Sequence, residues 1–565
     1  MALSIFRWVA KRSHQENFHA KARRREGWRS SARQSQCLAS PTGNVASDEK
    51  TLTYVATPSV SLRVFASSHE IFSHITHVYF KKASIVVCCF TVALCGCAVG
   101  PDFKSPEAPT VTHYTETPLP EQTADVPTVA HGGAAQRFVN EDVLHGKPWW
   151  TLFQNAALDQ LIAQALENHP TLAEAEARLR QAQEEYLARA GASRYPSADV
   201  GVSAARQQVD FVTMGMTTMP SPPPFTLYNV SVGVSYTFDW FGANARALEG
   251  LQAATEIKSW QLEAARLTLA ANIAAAAVRE ASLREQIGVL NTMIEALQKQ
   301  LAILEARRAL GGVSDADVQQ LKSALAEHQA RLPPLQRLLY SVRHQLALYS
   351  GTTPGEATLP QFHLADLRLP EALPLTVPSE LVRQRPDIRA AEAMLHQASA
   401  NVGVATANLY PRLTLSGSFG SAALSGEKLF AEGFNLWNLG AGVAQPLFRG
   451  GELQAYKRAA EAAFDAAAAG YRQTVLQGFQ NVADALRALE TDALTLKARS
   501  AAVDEALATY RLIDARYQLG GVDQWVVLDA ERRYLEALLA RVQSAADRYA
   551  STVALFQAIG LSEVR

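Results

Sequence analysis

The stretch Tyr228-Asn229-Val230-Ser231-Val232-Gly233-Val234-Ser235-Tyr236-Thr237-Phe238 alternates large apolar with small polar residues over 11 positions. A period of two puts every large side chain on one face of a strand. Beyond it the pattern changes. No proline occurs from Phe225 to Leu332, and residues 243–310 are rich in Ala, Leu, Glu, Gln and Arg. That composition favours unbroken helix. The tract is 68 residues long, or about 100 Å at 1.5 Å per residue. Globular helices usually run about 8–20 residues. A helix this long needs partners along its whole length, as in coiled coils or bundles. The runs 270–277 and 459–469 are rich in alanine, which permits close helix approach.

Three further segments repeat the alternation. Leu413, Leu415 and Phe419 alternate with Thr414, Ser416 and Ser418. Trp437, Leu439, Ala441 and Val443 alternate with Asn438, Gly440, Gly442 and Ala444. Val200 and Val202 do so more weakly, between Asp199, Gly201 and Ser203. A half-buried soluble sheet has this pattern, and so does an outer-membrane barrel strand. Four strands cannot close a barrel, and an open edge in lipid leaves backbone groups unpaired. Two chains would supply eight strands, which side chains largely fill. Three would supply twelve and leave a lumen, so a channel calls for a homotrimer. Residues 207–226 and 420–433 are then external loops. Trp240, Phe241, Trp437 and Phe448 suit the aromatic rims of such a barrel.

The chain has two halves with one plan. His169-Pro170 opens a helical stretch that ends at Tyr195-Pro196, and Arg385-Pro386 opens another that ends at Tyr410-Pro411. Glu176, Ala177, Leu179, Gln181 and Ala182 recur 216 positions on as Glu392, Ala393, Leu395, Gln397 and Ala398. Ala306-Arg307 and Leu310-Gly311-Gly312-Val313 recur 209 positions on as Ala515-Arg516 and Leu519-Gly520-Gly521-Val522. Such constant offsets mark a duplication. Each half reads helix, strand, loop, strand, long helix, Gly-Gly turn, helix, with proline bounding the elements.

The N-terminal region has a different character. All five cysteines (Cys37, Cys88, Cys89, Cys95 and Cys97) precede residue 98. The rest of the chain can hold no disulfide or zinc-thiolate site. Lys81-Lys82 precede an apolar run over 83–94 and then Leu94-Cys95-Gly96-Cys97. A basic pair, a short apolar run and small residues form a secretory signal, and Leu-x-Gly-Cys resembles the bacterial lipobox. Residues 81–96 are therefore expected to be a lipoprotein signal peptide. Cys97 is the expected lipidation site and first mature residue. Residues 1–80 carry 11 Lys+Arg and 5 Asp+Glu without hydrophobic period. They read as a non-native extension from a misplaced start, or as a disordered one. Residues 97–565 carry 40 Lys+Arg against 49 Asp+Glu. That balance argues against nucleic acid as a partner. No apolar run of about 18 residues, as a membrane helix requires, is present. The remaining divisions are 97–143, a lipid-anchored segment, and two repeats, 144–355 and 356–565.

Three motifs point to a known family. Cys97-Ala98-Val99-Gly100-Pro101-Asp102-Phe103, Pro148-Trp149-Trp150-Thr151-Leu152-Phe153 and the run from Pro378 to Glu392 around Arg385-Pro386-Asp387 resemble the TolC-like outer-membrane efflux proteins, in particular RND-type lipoproteins. The resemblance spans 97–565. It implies an α+β membrane protein in which long helical hairpins continue a transmembrane β-barrel. It implies a homotrimer in the outer membrane of a Gram-negative bacterium, joined to a periplasmic adaptor and an inner-membrane RND pump. The cargo would be drugs or other small toxic compounds. By the same likeness Asp317 and Asp529 fall at acidic gate positions and Tyr517 at a tip aromatic. A further acidic position falls on Val526, where this chain departs. The turns Gly311-Gly312 and Gly520-Gly521, with Arg307 and Arg516, would dock the adaptor. An acidic ring repeated threefold would favour cations. Acids at 315 and 317 also simply suit a helix start.

No catalytic constellation, metal-spaced cluster or phosphate loop is legible, so no enzyme activity and no cofactor beyond the lipid are expected. Met214, Met216 and Met219 form a thioether group that suits copper, but an ordinary loop is the preferred reading. The rival functions are a protein-secretion duct and a lipid-anchored coiled-coil scaffold.

Overall fold

The computed structural model describes residues 98–561 except 112, 140–146, 212–214, 216, 217, 219, 376 and 377. All of these lie in one compact unit, 84–565. The extension 1–80, the signal 81–96 and Cys97 lie outside the described residues. So do Met214, Met216 and Met219.

The elements run β1 (Arg137–Val139), a 3-10 turn (Trp149–Phe153), α1 (Ala156–Asn168), α2 (Pro170–Arg194), β2 (Ser197–Gln207), β3 (Phe225–Phe238), α3 (Ala243–Ala309) and α4 (Asp315–Tyr349). Then come β4 (Ala372–Pro374), α5 (Pro378–Gln384), α6 (Pro386–Ala407), β5 (Arg412–Ala423), β6 (Asn435–Ala444), α7 (Glu452–Gln518) and α8 (Gln524–Ile559). Both long helices have 67 residues, one fewer than expected for the first. The expected order recurs in each half. One short parallel pair, β1 with β4, was not legible, because three residues carry no period.

The four long strands form one antiparallel sheet in the order β2-β3-β5-β6. Its register aligns Val200, Val232, Phe419 and Trp437 in one row, and Asp199, Gly233, Ser418 and Asn438 in the next. One face is therefore apolar and the other small and polar. The apolar face is solvent-exposed in the single chain, with Phe419 61% and Trp437 75% accessible. Two outer edges, on β2 and β6, have no partner strand among the described residues. The loop expected at 420–433 is shorter than that. Residues 420–423 continue β5, since Gly420 and Ala423 pair with Ser231 and Tyr228 of the longer β3.

The core lies where the helices of both halves meet. Trp149 stacks on Phe556 at 5.3 Å, and both are buried with Phe153, Ile162, Ile273 and Leu489. Burying such side chains contributes about 1.5–3 kcal/mol each. Beside it, Glu280 of α3 is wholly enclosed and paired with Arg284 and Arg343, both at 2.7 Å.

Proline does not bound every element. Pro333 and Pro334 lie inside α4. Each removes a hydrogen bond to the carbonyl four residues earlier. Here those carbonyls belong to the exposed Gln329 and Ala330, where water can satisfy them. Leu332, Leu335 and Leu339 hold the other side of the helix against the core. No described helix is long and apolar enough to cross a membrane.

Candidate functional site

Two helical hairpins, α3–α4 and α7–α8, end in matching tips. Gly311 sits at φ +75 and Gly520 at φ +73. This left-handed backbone costs an L-residue about 1–2 kcal/mol. At each tip the second glycine closes the helix. The Gly312 N–H donates to the Arg307 carbonyl and the Gly521 N–H to the Arg516 carbonyl, both at 2.9 Å. Each is the six-to-one bond of a glycine-terminated helix. The two arginines thus serve the turns through their backbones. Their side chains are exposed, and neither has an ion-pair partner among the described residues.

The return helices start differently. Ser314 caps α4 with its hydroxyl, which accepts from the Asp317 N–H at 3.2 Å. The Asp317 carboxylate accepts in turn from the Ser314 N–H at 3.1 Å and hydroxyl at 2.7 Å. This reciprocal capping box occupies one oxygen of the gate candidate. At the second tip the matching residues are Asp523 and Val526, and Asp523 makes no side-chain cap bond. Val526 cannot complete the box.

Tyr517 is half-buried beside the first tip. Burial pushes its phenol up, the Arg307 charge pulls it back, and Asp317 and Asp514 push it further up. Arg307, Asp317 and Tyr517 therefore share one electrostatic neighbourhood. Asp529 stands apart from them. Arg532 at 2.7 Å and Arg533 at 2.8 Å hold its carboxylate from one turn along α8. The Arg532 hydrogen bond, then the Arg533 charge, keep it below the usual carboxylate range. Behind the tips, Leu528 of α8 packs on Leu297, Leu304, Val318 and Leu321 of the first hairpin.

The sequence reading missed one contrast. In the first hairpin Glu305 of α3 pairs with Lys322 of α4 at 2.8 Å, half-exposed. The residues 209 positions on are Asp514 and Glu531, two carboxylates. Glu531 is 3% exposed. Its Oε2 has no hydrogen-bond partner, and neither does Oε1 of the nearby Gln300. Burial, then the charge of Asp514, pushes Glu531 up to about 7. Tyr510 lies against this pair, stacked on Tyr534 at 6.3 Å. The offset that revealed the duplication would have exposed the swap, had it been applied residue by residue.

At the opposite end residues 98–103 meet the foot of the sheet. The Val99 N–H donates to the Phe241 carbonyl at 3.1 Å, and Ala98 lies against Gly242. Asp102 pairs with Arg246 at 2.5 Å, and Phe103 stacks on His396 at 4.4 Å. Farther along, Arg548 is fully buried and donates to Thr123 at 3.0 Å and to the Ala134 carbonyl at 2.9 Å. The segment is thereby strapped onto both halves.

Residues 161–352 and 377–561 match the outer membrane efflux protein family. The chain is 31% identical over 414 residues to the pyoverdine export outer membrane protein OpmQ of Pseudomonas putida, covering 73% of this chain and 87% of that one. It is 29% identical over 480 residues to the toluene efflux pump outer membrane protein TtgF of Pseudomonas putida, covering 83% and 95%. Among solved structures, the outer-membrane channel OprN superposes with a TM-score of 0.71 at 29% identity, over 82% of this chain and 99% of that one. The fold also matches CusC, with a TM-score of 0.69 at 22% identity, over 82% and 100%.

Proposed function

Since this chain belongs to the outer membrane efflux protein family, and is an outer-membrane exit duct, we propose that it works as a homotrimer in a tripartite RND-type system. A periplasmic adaptor and an inner-membrane pump complete the system. The cargo is drugs or other small toxic compounds, and the duct is passive, without catalysis of its own. One observation carries this reading. A four-stranded sheet with an exposed apolar face and two unpaired edges continues into 67-residue helices. Unpaired edges are not tolerated in lipid. Three copies would close a twelve-stranded barrel with a lumen.

The anchor is a lipid on Cys97. The bond from Val99 to Phe241, at the junction of sheet and helices, supports it, because a neighbouring acyl chain would enter the membrane there. Cys97→Ser abolishing palmitate labelling would bear this out; unchanged labelling would refute it. The duct divides as 97–143, 144–355 and 356–565, with 81–96 removed and 1–80 not part of the working protein.

The gate is at the helix tips, with Asp317, Asp529 and Tyr517 as its residues. The exposed Arg307 and Arg516 beside Gly311-Gly312 and Gly520-Gly521 suit adaptor docking. Gly520→Trp leaving complex assembly intact would count against docking there. Single-channel conductance in planar bilayers tests duct and gate together. Wild type forms a stable pore, and Asp529→Ala, which takes the shared carboxylate from Arg532 and Arg533, changes its conductance or cation block. A pore indifferent to the mutation moves the gate elsewhere. No pore from verified trimers would indicate a tightly closed resting state, and no trimers at all would revive the scaffold reading.

A further inference from the structure

A cavity of about 280 Å³ lies where the central strands β3 and β5 meet α3 and α6. Its polar lining is Arg189, Thr237, Asp239, Trp240, Asn244, Asn408 and Arg412. Both arginines are exposed, and among the described residues their guanidinium groups bond neutral amide oxygens: Arg189 donates to Asn244 Oδ1 at 2.8 Å, and Arg412 donates to Asn408 Oδ1. Each has five N–H donors, so most of them remain unspent. Trp240 Nε1 is buried without an acceptor. The one carboxylate present, Asp239, already accepts from the Ala245 N–H at 2.7 Å, in the first turn of α3. Donors exceed acceptors, and two positive charges face one negative.

Such a lining suits an oxyanion. Guanidinium forks match the paired oxygens of phosphate. The start of a long helix adds positive potential. Thr237 and Arg412 lie on the small polar face of the sheet, while the neighbouring Phe238 and Leu413 lie on its apolar face. The cavity thus stands at the boundary between the two. The cavity lies within one chain's central strands, away from the unpaired edges of β2 and β6.

We propose that this cavity binds a phosphate-type oxyanion, held by Arg189 and Arg412 with Trp240 as a third donor. Such a group comes either from an anionic phospholipid headgroup or from a free phosphate-bearing solute. The lipid source rests on the sheet spanning the outer membrane; the free-anion source does not.

The test is a binding titration of the purified full-length protein in neutral detergent, read by thermal stability. The probes are short-chain phosphatidylglycerol, in monomeric form, and inorganic phosphate. Wild type is expected to bind at least one of them. Arg189→Gln/Arg412→Gln should weaken that binding at least tenfold, and Trp240→Phe several-fold. If the double variant does not fold, Arg412→Gln and Trp240→Phe carry the same reading. Stabilisation by phosphatidylglycerol alone assigns the lipid, and equal stabilisation by inorganic phosphate assigns the free anion. No stabilisation by either probe, or unchanged binding in the variants, would overturn the proposal.

Discussion

The two hairpins share length, turn, helix closure and a tip arginine, yet their ion pairs differ. Hairpin one carries the pair Glu305–Lys322, the contact between Arg308 and Asp315 at 3.2 Å, and the Ser314–Asp317 box. At the matching places hairpin two carries Asp514 and Glu531, Tyr517 and Gln524, and Asp523 and Val526. Deeper in, the enclosed Glu280 of α3 corresponds to the equally enclosed Leu489 of α7. Its partners Arg284 and Arg343 correspond to Ala493 and Thr552. A duplicated backbone has therefore kept its geometry while the second copy replaced the buried triad by uncharged residues and the Glu305–Lys322 pair by two carboxylates. Shape is set by helix length and glycine turns. Charge can drift where a buried group finds a partner, is replaced by carbon, or, like Glu531, is held towards its neutral form by burial.

The buried triad gives the largest expected effect. Glu280→Ala strands two arginines and should cost about 3–5 kcal/mol. Rebuilding the second half's solution with Glu280→Leu, Arg284→Ala and Arg343→Thr should recover most of that loss. Resistance of the assembled protein to denaturant reads both. A triple variant no better than the single one would mean that the halves are not interchangeable here.

The tips differ in their response to pH. Glu531 is raised, so it is neutral in the folded protein when an unfolded glutamate has already ionised. Hairpin two is therefore most stable below about 4.5 and weakens as pH rises towards about 7. The loss is on the order of 3–4 kcal/mol. Glu305 is lowered by its hydrogen bond and charge pairing with Lys322, so its contribution is present above the ordinary glutamate range and is lost only at lower pH. Hydrogen exchange at pH 5 and pH 7.5 should show hairpin two loosening at the higher pH, whereas hairpin one, where burial lowers His328 of α4, should loosen only at the lower pH. Glu531→Gln should remove the loosening of hairpin two, and its persistence would point to another group.

Glycine substitutions should affect the two tips alike. Gly311→Ala and Gly520→Ala each force a side chain into left-handed backbone, at about 1–2 kcal/mol. Local exchange at Arg307 to Gly312 and at Arg516 to Gly521 measures this. Unequal costs would mean that the turns are not equivalent.

The smallest contrast is in the caps. Ser314→Ala should lose about 1 kcal/mol of α4's first turn. Asp523→Ala should lose less than about 0.5 kcal/mol, since its side chain accepts no cap bond. Exchange rates over the first turns of α4 and α8 decide it.

Much of this was legible from one dimension. Tyr228 to Phe238 declared a strand because a period of two leaves no other face for six large side chains. The absence of proline from Phe225 to Leu332 declared the long helix, and the recurring Gly-Gly pairs declared its turn. Those signals are local, and local sterics decide them. Asp317 and Asp529 were also legible, but as types at positions rather than as engaged groups.

What each carboxylate does depended on what faces it. Asp317 closes a capping box, Asp529 lies in an arginine fork, and Glu531 meets another acid across α7 and α8. The same holds for Pro333 and Pro334, tolerated because α4 turns them to water. By itself the sequence determined the strands, the helix lengths, the glycine turns and the duplication, because backbone sterics and hydrophobic period act over a few residues. Only the tertiary structure decided the strand register, the partners of the buried charges and the donor-rich cavity beside Trp240. Desolvation and hydrogen bonding depend on neighbours that lie hundreds of residues away along the chain.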